Sequence, residues 1–341
     1  MSKKLQILFL TQEEVIAAGG MDMKATVEAV EHAFALEAKG ECIEPEPPMI
    51  LFGDQAGRRF TMHPCYLGGD VNAAGIKWAG SNPANPKRLG LPRALAMFVL
   101  NDPETTYPQA IMESTVISGM RTGAVAGLAA KYLARKGSEV AGILGAGVIA
   151  RYQAMAFRET MPDLKLIKVF DVVSEKAEAW AREMSERLGV QVKTVGSAEE
   201  CVRDSDVASG ATTVACKDRY VRNEWLKEGG LFCNISDNDP TFELVRGCDK
   251  IIVDGFRQFH VPVVMGEMVR QGLLKESDEW ATMGQVVAGM KPGRESDRER
   301  IMFSALGLGM EDLVNVKRVV ENAKRLGLGK VLDLWENPIF V

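Results

Sequence analysis

Residues 139–171 read EVAGILGAGVIARYQAMAFRETMPDLKLIKVFD, and this stretch predicts one βαβ unit. Positions 140–144 form a short apolar run that stops at Gly145, as a strand buried on both faces requires. Gly145, Gly147 and Ala150 then fill a GxGxxA spacing. The first glycine serves a tight turn, the second lets a pyrophosphate approach the backbone, and the small third residue lets helix meet strand. Free N–H groups and the dipole at that helix start, from Gly145 and Ala146 through Gly147, Val148 and Ile149, favour bound phosphates. A second apolar run, 166–170, ends in Asp171, placed to meet a ribose. A carboxylate there accepts from both ribose hydroxyls and repels a 2′-phosphate. Val172, Val173 and Ser174 bring no cation to attract one, so NAD(H) is expected over NADP.

The 341 residues allow two domains, and 46% hydrophobic content can fill two cores. A formal net charge of −5 offers no footprint for nucleic acid or an anionic membrane, so neither is an expected partner. The six cysteines, at 42, 65, 201, 216, 233 and 248, are scattered without a CxxC pair, and no metal is expected. No signal segment precedes them, and the opening Met-Ser-Lys-Lys is too short for a targeting peptide. They read as reduced thiols of a cytoplasmic protein. No apolar run approaches the roughly 20 residues that span a bilayer.

Ahead of the βαβ unit, Thr11 and Glu14 make a capping box for a short helix, and Val27, Val30 and Phe34 give a charged helix over 23–39 one apolar stripe. Residues 49–52 and 59–62 read as strands around a turn over 53–57. The next strand, 73–78, holds Lys77 in AAGIKWAG, among apolar and small neighbours. Either this lysine reaches out to water or an anion meets it. A loop with Lys87, Arg88 and Arg93 follows, then a strand over 95–100 that completes an open sheet. In the helix 115–135, Arg121 interrupts ISGMRTGAVAGLAA. Arginine keeps its proton, so it must find an acid, a carbonyl cluster or an anionic ligand. Gly119, Thr122, Gly123 and Gly127 let backbone or cofactor come close.

Beyond Asp171 the pattern stays α/β, with a charged helix over 175–188, strands over 190–194 and 206–211, and Thr212 at the carboxyl end, where this fold meets its cofactor. A strand over 231–235 ends in SDNDP, where Asp237 and Asp239 either serve chemistry or make an Asx turn. Residues 251–254 read as the last strand of the sheet, 291–300 as a solvated connection and 311–326 as a closing helix.

Across nearly its whole length the chain resembles the ornithine cyclodeaminase and mu-crystallin family. The resemblance rests on GIKWAGSNPANP, NDPETTYPQAIMESTVISGMRTGAVAGLAAKYLA, GAGVIA, NISDND and SALGLGMEDL. Within the family, NDPET, PGRESD and NIS look most like the subgroup of dehydrogenases acting on N-(2-amino-2-carboxyethyl)-L-glutamate. The resemblance implies an α/β homodimer: a Rossmann-type NAD-binding domain, 119–302, inserted into a discontinuous α+β substrate and dimerisation domain, 1–118 plus 303–341. It also implies roles. Lys77 and Arg121 match the cations that hold a substrate α-carboxylate, Asp239 matches the catalytic acid or base, and Thr212, Ser236 and Ser304 fall where relatives touch the cofactor.

Two departures bear on substrate. Pro45-Glu46-Pro47 lacks the arginine that relatives often carry in this connector, leaving Arg58, Arg59 or Arg93 to replace it. Thr61-Met62-His63-Pro64 lacks the acid that cyclodeaminases place two residues before a Met-Pro pair for an ornithine amine, and offers His63 to an anionic side chain instead. The expected activity is therefore NAD-dependent oxidation or reduction at a C–N bond of an amino acid or amino-acid conjugate, through an imine. A cyclodeaminase, an imine or ketimine reductase, an alanine-type dehydrogenase and a mu-crystallin-like binding protein are the alternatives.

Overall fold

The computed structural model describes residues 4–53 and 57–339, so residues 54–56 of the expected turn lie outside it. The chain forms two compact units, one of Met1–Asp22, Lys39–Arg121 and Leu308–Val341, the other of Met23–Ala38 and Thr122–Gly307.

In the second unit, eight parallel strands lie in the order Gln191–Thr194, Leu166–Phe170, Val140–Leu144, Val207–Gly210, Leu231–Asn234, Ile301–Ser304, Lys250–Val253 and Ala281–Thr282. Five of these, Val207–Gly210, Leu231–Asn234, Lys250–Val253, Ala281–Thr282 and Ile301–Ser304, are buried at every position, as a parallel sheet covered on both faces demands. This is the Rossmann-type sheet, and the chain of the first unit is discontinuous around it. From Val140–Leu144 the chain winds outward one way, then returns to start Val207–Gly210 on the other side. Ligands of such sheets bind where the winding reverses. The strand ends there are laced together, Gly145 donating to Phe170 O at 2.7 Å and Ala211 to Leu144 O at 2.8 Å.

Two expectations change, and one alternative is settled. Residues 251–254 do not end the sheet, because Ile301–Ser304 enters between Leu231–Asn234 and Lys250–Val253. A four-residue apolar run carries no period of its own, so burial alone makes it a central strand. The run 291–300 is not simply solvated. Arg294 Nε donates to Leu133 O at 2.7 Å, and the buried Lys250 ammonium binds Glu295 at 2.6 Å and Glu299 at 3.0 Å. Finally, the small residues of helix Thr115–Leu133 admit backbone: a Cβ on Gly123 would lie 2.4 Å from the Tyr152 backbone, and one on Gly127 2.7 Å from Ala156 Cβ, on helix Val148–Thr160.

The first unit holds a mixed sheet ordered Lys330–Trp335, Leu5–Leu10, Pro108–Glu113, Ala94–Asn101, Ala73–Ser81, Arg59–Leu67 and Cys42–Ile43, with Met49–Leu51 also on Arg59–Leu67. Leu5–Leu10 runs parallel to Pro108–Glu113 and the other pairs are antiparallel. The first three strands in this order are additions to the sequence reading; Lys330–Trp335 and Leu5–Leu10 are short segments whose pairing partners are remote in the chain, while Pro108–Glu113 pairs with the preceding Ala94–Asn101 as well as with Leu5–Leu10. Side chains alternate across a strand, so neighbours in sequence face opposite ways. His63, Lys77, Phe98 and Met112 form one cross-strand row, while Met62, Trp78 and Met97 form the adjacent row on the other face. Helix Gly309–Leu326 packs on the face bearing Lys77, and its first turn carries the fully buried Glu311 and Asp312. Trp78, Leu95 and Met97 on the opposite face stay exposed at 42%, 59% and 40%. Among the described residues no helix is long and apolar enough to cross a membrane.

Candidate functional site

In the second unit, Gly145 takes φ +96°, and a Cβ there would sit 2.7 Å from Ala211 O, so the turn admits only glycine. At Gly147 a Cβ would meet nothing within 4 Å. Gly147 caps helix Val148–Thr160 without a side-chain hydrogen bond, leaving the helix amides to face open space, with Val148 exposed at the rim. That is the donor set a pyrophosphate needs. Ala150 is fully buried where helix meets sheet.

Asp171 Oδ2 accepts from the Ala146 amide at 2.8 Å and Oδ1 from the Val173 amide at 3.0 Å, and Lys176 Nζ lies 3.4 Å away. Burial works to raise its pKa, but those amides and Lys176 prevail and hold the carboxyl below the ordinary range, so it is ionised. Reading residues 172–174 alone overlooked Lys176, a cation on the helix that follows.

Asp239 is fully buried. Thr212 Oγ1 donates to its Oδ1 at 2.5 Å, Ser236 Oγ donates to its Oδ2, and the Tyr220 hydroxyl adds a third hydrogen bond. Burial pushes its pKa up, and the three hydroxyls offset only part of that rise. The strand end is built to receive it: a Cβ on Gly210 would lie 1.9 Å from Asp239 Oδ2. Asp239 is thus held from three chain segments, whereas Asp237 occupies the turn itself, at φ +73°. Ser304 Oγ accepts from Asn234 Nδ2 at 2.9 Å, and Thr122 is half-buried on its helix.

In the first unit Lys77 does not reach water. It is 2% exposed, with Nζ 2.5 Å from Asp312 Oδ2 and 3.5 Å from Ser118 Oγ. Arg121 meets core acids, Nη1 lying 2.8 Å from Glu311 Oε2 and Nε 3.2 Å from Asp312 Oδ2. Burial and then Arg121 lower the lysine pKa while Asp312 raises it. Burial works to raise the Asp312 pKa, but Arg121 and Lys77 outweigh it and hold the carboxyl low. The quartet is a neutral set of two cations and two anions. His63 is the cross-strand neighbour of Lys77. Arg93 stands elsewhere, exposed beside Arg59 and next to Ala94, whose partner Ser81 is roughly 13 Å along the strand from Lys77.

Glu311, Asp312 and Tyr220 are the residues that sequence reasoning missed. Acids in the first turn of a helix ordinarily complement its dipole from the surface, and nothing local marks this pair as buried. One further cluster, Cys42, Glu44 and Cys65, brings its donor atoms within 4.8 Å of one another. Glu44 is occupied there in capping helix Gly309–Leu326, accepting from the Gly309 and Met310 amides at 2.5 and 3.3 Å.

A parallel sheet with an open glycine turn at its reversal point, an ionised acid closing the second strand and a buried carboxylate nearby defines a Rossmann-type dinucleotide-binding protein. The chain belongs to the ornithine cyclodeaminase/mu-crystallin family, whose model matches residues 6–326. It is 31% identical to N-((2S)-2-amino-2-carboxyethyl)-L-glutamate dehydrogenase of Staphylococcus aureus over 97% of this chain and 99% of that protein. Its fold matches the Δ1-pyrroline-2-carboxylate reductase of Thermococcus litoralis, solved in complex with NADH and L-proline. The TM-score is 0.88 at 35% identity, over 95% of this chain and 99% of that one. It also matches an archaeal alanine dehydrogenase dimer with bound NAD, at TM-score 0.88 and 34% identity, over 97% of this chain and all of that one (100%).

Proposed function

We propose that this chain is an NAD-dependent oxidoreductase that acts on the C–N bond of an amino acid or amino-acid conjugate through an imine. The observation that carries this reading is Asp239, a fully buried carboxylate ringed by hydroxyls in the same sheet that presents the open dinucleotide turn. The family relatives support it, being a dehydrogenase and a reductase of amino or imino acids and an alanine dehydrogenase. Gly145 and Ala146 shape the turn, the amides from Gly147 to Ile149 hold the pyrophosphate and Asp171 the ribose, with Thr122, Thr212, Ser236 and Ser304 around the cofactor. NAD, when bound, accepts or donates the hydride. Lys77 and Arg121 fix the substrate α-carboxylate, and His63, the cross-strand neighbour of Lys77, meets a second anionic group. Fixed geometry lowers the barrier by removing the entropy of alignment. Asp239 takes a proton from the water that splits the imine, or in reverse delivers one to the amine nitrogen. Its raised pKa suits a group that must both hold and release a proton.

N-(2-Amino-2-carboxyethyl)-L-glutamate is the substrate to test first, and the alanine and pyrroline-2-carboxylate relatives supply the next two. The protein works as a cytoplasmic homodimer. The face bearing Trp78, Leu95 and Met97 is the kind of apolar surface a partner covers, and its six cysteines are free thiols. A panel of amino acids, and of keto acids with amines, followed by NADH absorbance and product mass, tests the assignment. Net NADH turnover with a C–N product is expected. Ammonia release without net change makes the chain a lyase, and silence across the panel alongside tight NADH binding makes it a binding protein.

A further inference from the structure

The mechanism above uses Lys77 and Arg121 but leaves Glu311 and Asp312 without a task, although these are the acids that the two cations touch. Fully buried carboxylates are costly and need a reason. Asp312 accepts at Oδ2 from Lys77 at 2.5 Å and lies 3.2 Å from Arg121 Nε, while its Oδ1, also buried, accepts no hydrogen bond among the described residues. Buried carboxylate oxygens are usually hydrogen-bonded, so the open Oδ1 is a feature that packing alone does not explain. Its position is also specific. The first turn of helix Gly309–Leu326 puts it against the strand face that carries Lys77, and Glu44 caps the amides at that helix start.

We propose that Asp312 is a positioning residue for the reaction, holding Lys77 protonated and aimed at the substrate carboxylate, while Glu311 aims Arg121. This rests on the reading that Lys77 meets the substrate. An ammonium taken out of water tends to shed its proton, and Arg121 beside it adds to that tendency. Neutral lysine cannot bind a carboxylate by charge. Around Lys77 stand Arg121 and Ser118 from helix Thr115–Leu133, Glu311 and Asp312 from the closing helix and His63 from the adjacent strand, while Phe98 on the other side is uncharged. Among the described residues the two acids oppose loss of the proton, and of these Asp312 is the one bonded to the ammonium, beside a longer hydrogen bond to Ser118. Because the quartet is formally neutral, it adds no net charge of its own to the site. It suits a substrate whose carboxylate is recognised by aim and hydrogen bonding.

Asp312→Asn keeps the shape and removes the charge. The variant should bind NADH as the parent does. Its kcat/KM should fall roughly tenfold or more, the scale of one lost charge-assisted hydrogen bond. The alkaline limb of its kcat/KM profile should move down by about one to three pH units, the reach of a neighbouring opposite charge. Asp312→Glu should restore that limb in part. In a Lys77→Arg background, where the cation cannot lose its proton, adding Asp312→Asn should leave the alkaline limb in place. A folded Asp312→Asn protein with the parental limb overturns the proposal. So does an equal shift in the arginine background, which also decides the matter should the single variant fold poorly. Lys77→Met with parental kcat and KM would instead overturn the reading beneath it, whatever Asp312→Asn does.

Discussion

Two fully buried aspartates, one in each unit, are tuned in opposite directions. Asp239 lies under the hydroxyls of Thr212, Ser236 and Tyr220, and burial drives its pKa up. Asp312 lies against Lys77 and Arg121, and their charges outweigh the same burial and drive its pKa down. Depth is common to both and so cannot be what separates them. Dipoles soften the cost of a buried charge, whereas full opposite charges reverse it. The first environment makes an acid or base and the second makes a fixed anion, as paired carboxylates do in other active sites.

The largest effect should come from Asp239→Asn. Steady-state turnover is expected to fall by roughly 10²–10⁴, the contribution of a general acid or base, with NADH affinity unchanged by fluorescence titration. Thermal stability at neutral pH should hold or rise, since a charge that burial disfavours is removed. Near-parental turnover would take Asp239 out of the mechanism.

Asp312→Asn should do the reverse to stability. Leaving the buried Lys77 without its bonded acid, while Arg121 keeps Glu311, is expected to cost about 3–5 kcal/mol in denaturant unfolding. Parental stability would mean that water already screens the quartet.

Asp206 sharpens the contrast, because it shares a unit with Asp239 yet resembles Asp312. Its carboxylate binds Lys227 at 2.8 Å, Arg135 at 2.9 Å and the Glu139 and Val140 amides at 2.8 and 2.9 Å. Burial opposes ionisation, but these partners depress the pKa to about 2. A depressed acid pKa adds stability above the unfolded value near 3.8, and that gain fades as pH falls through about 2. Asp206→Asn should therefore lose about 1–2 kcal/mol at neutral pH, after discounting for its half-exposed partners, and the difference from the parent should vanish in strong acid. A pH-independent difference would assign the loss to packing.

The smallest effect is expected at Asp171. Asp171→Ala should weaken NADH about tenfold by removing one charged hydrogen-bonding group, and it should narrow the preference over NADPH. An unchanged ratio of the two affinities would show that Lys176, and not the acid, governs that choice.

Legibility followed distance along the chain. The strands Val140–Leu144 and Leu166–Phe170 fall at the expected residues, and the helix cap at Thr11 is in place, because each depends on neighbours a few positions away. The strands Leu5–Leu10 and Ile301–Ser304 escaped, since each is a short apolar run that becomes a strand only beside partners elsewhere in the chain. Lys77 and Arg121 stood out as charges in apolar surroundings, but their partners did not.

The sequence by itself determined the dinucleotide turn and the acid that follows it. Every part of that device lies between residues 139 and 171, and each acts through backbone geometry that its own residue type dictates. Only the tertiary structure decided which carboxylates would be buried, and beside what. Asp312 meets Lys77 across a sheet and a helix from opposite ends of the chain, and Asp239 gathers its hydroxyls from three loops. An aspartate's proton affinity is a property of its surroundings, and those surroundings exist only after the chain has folded.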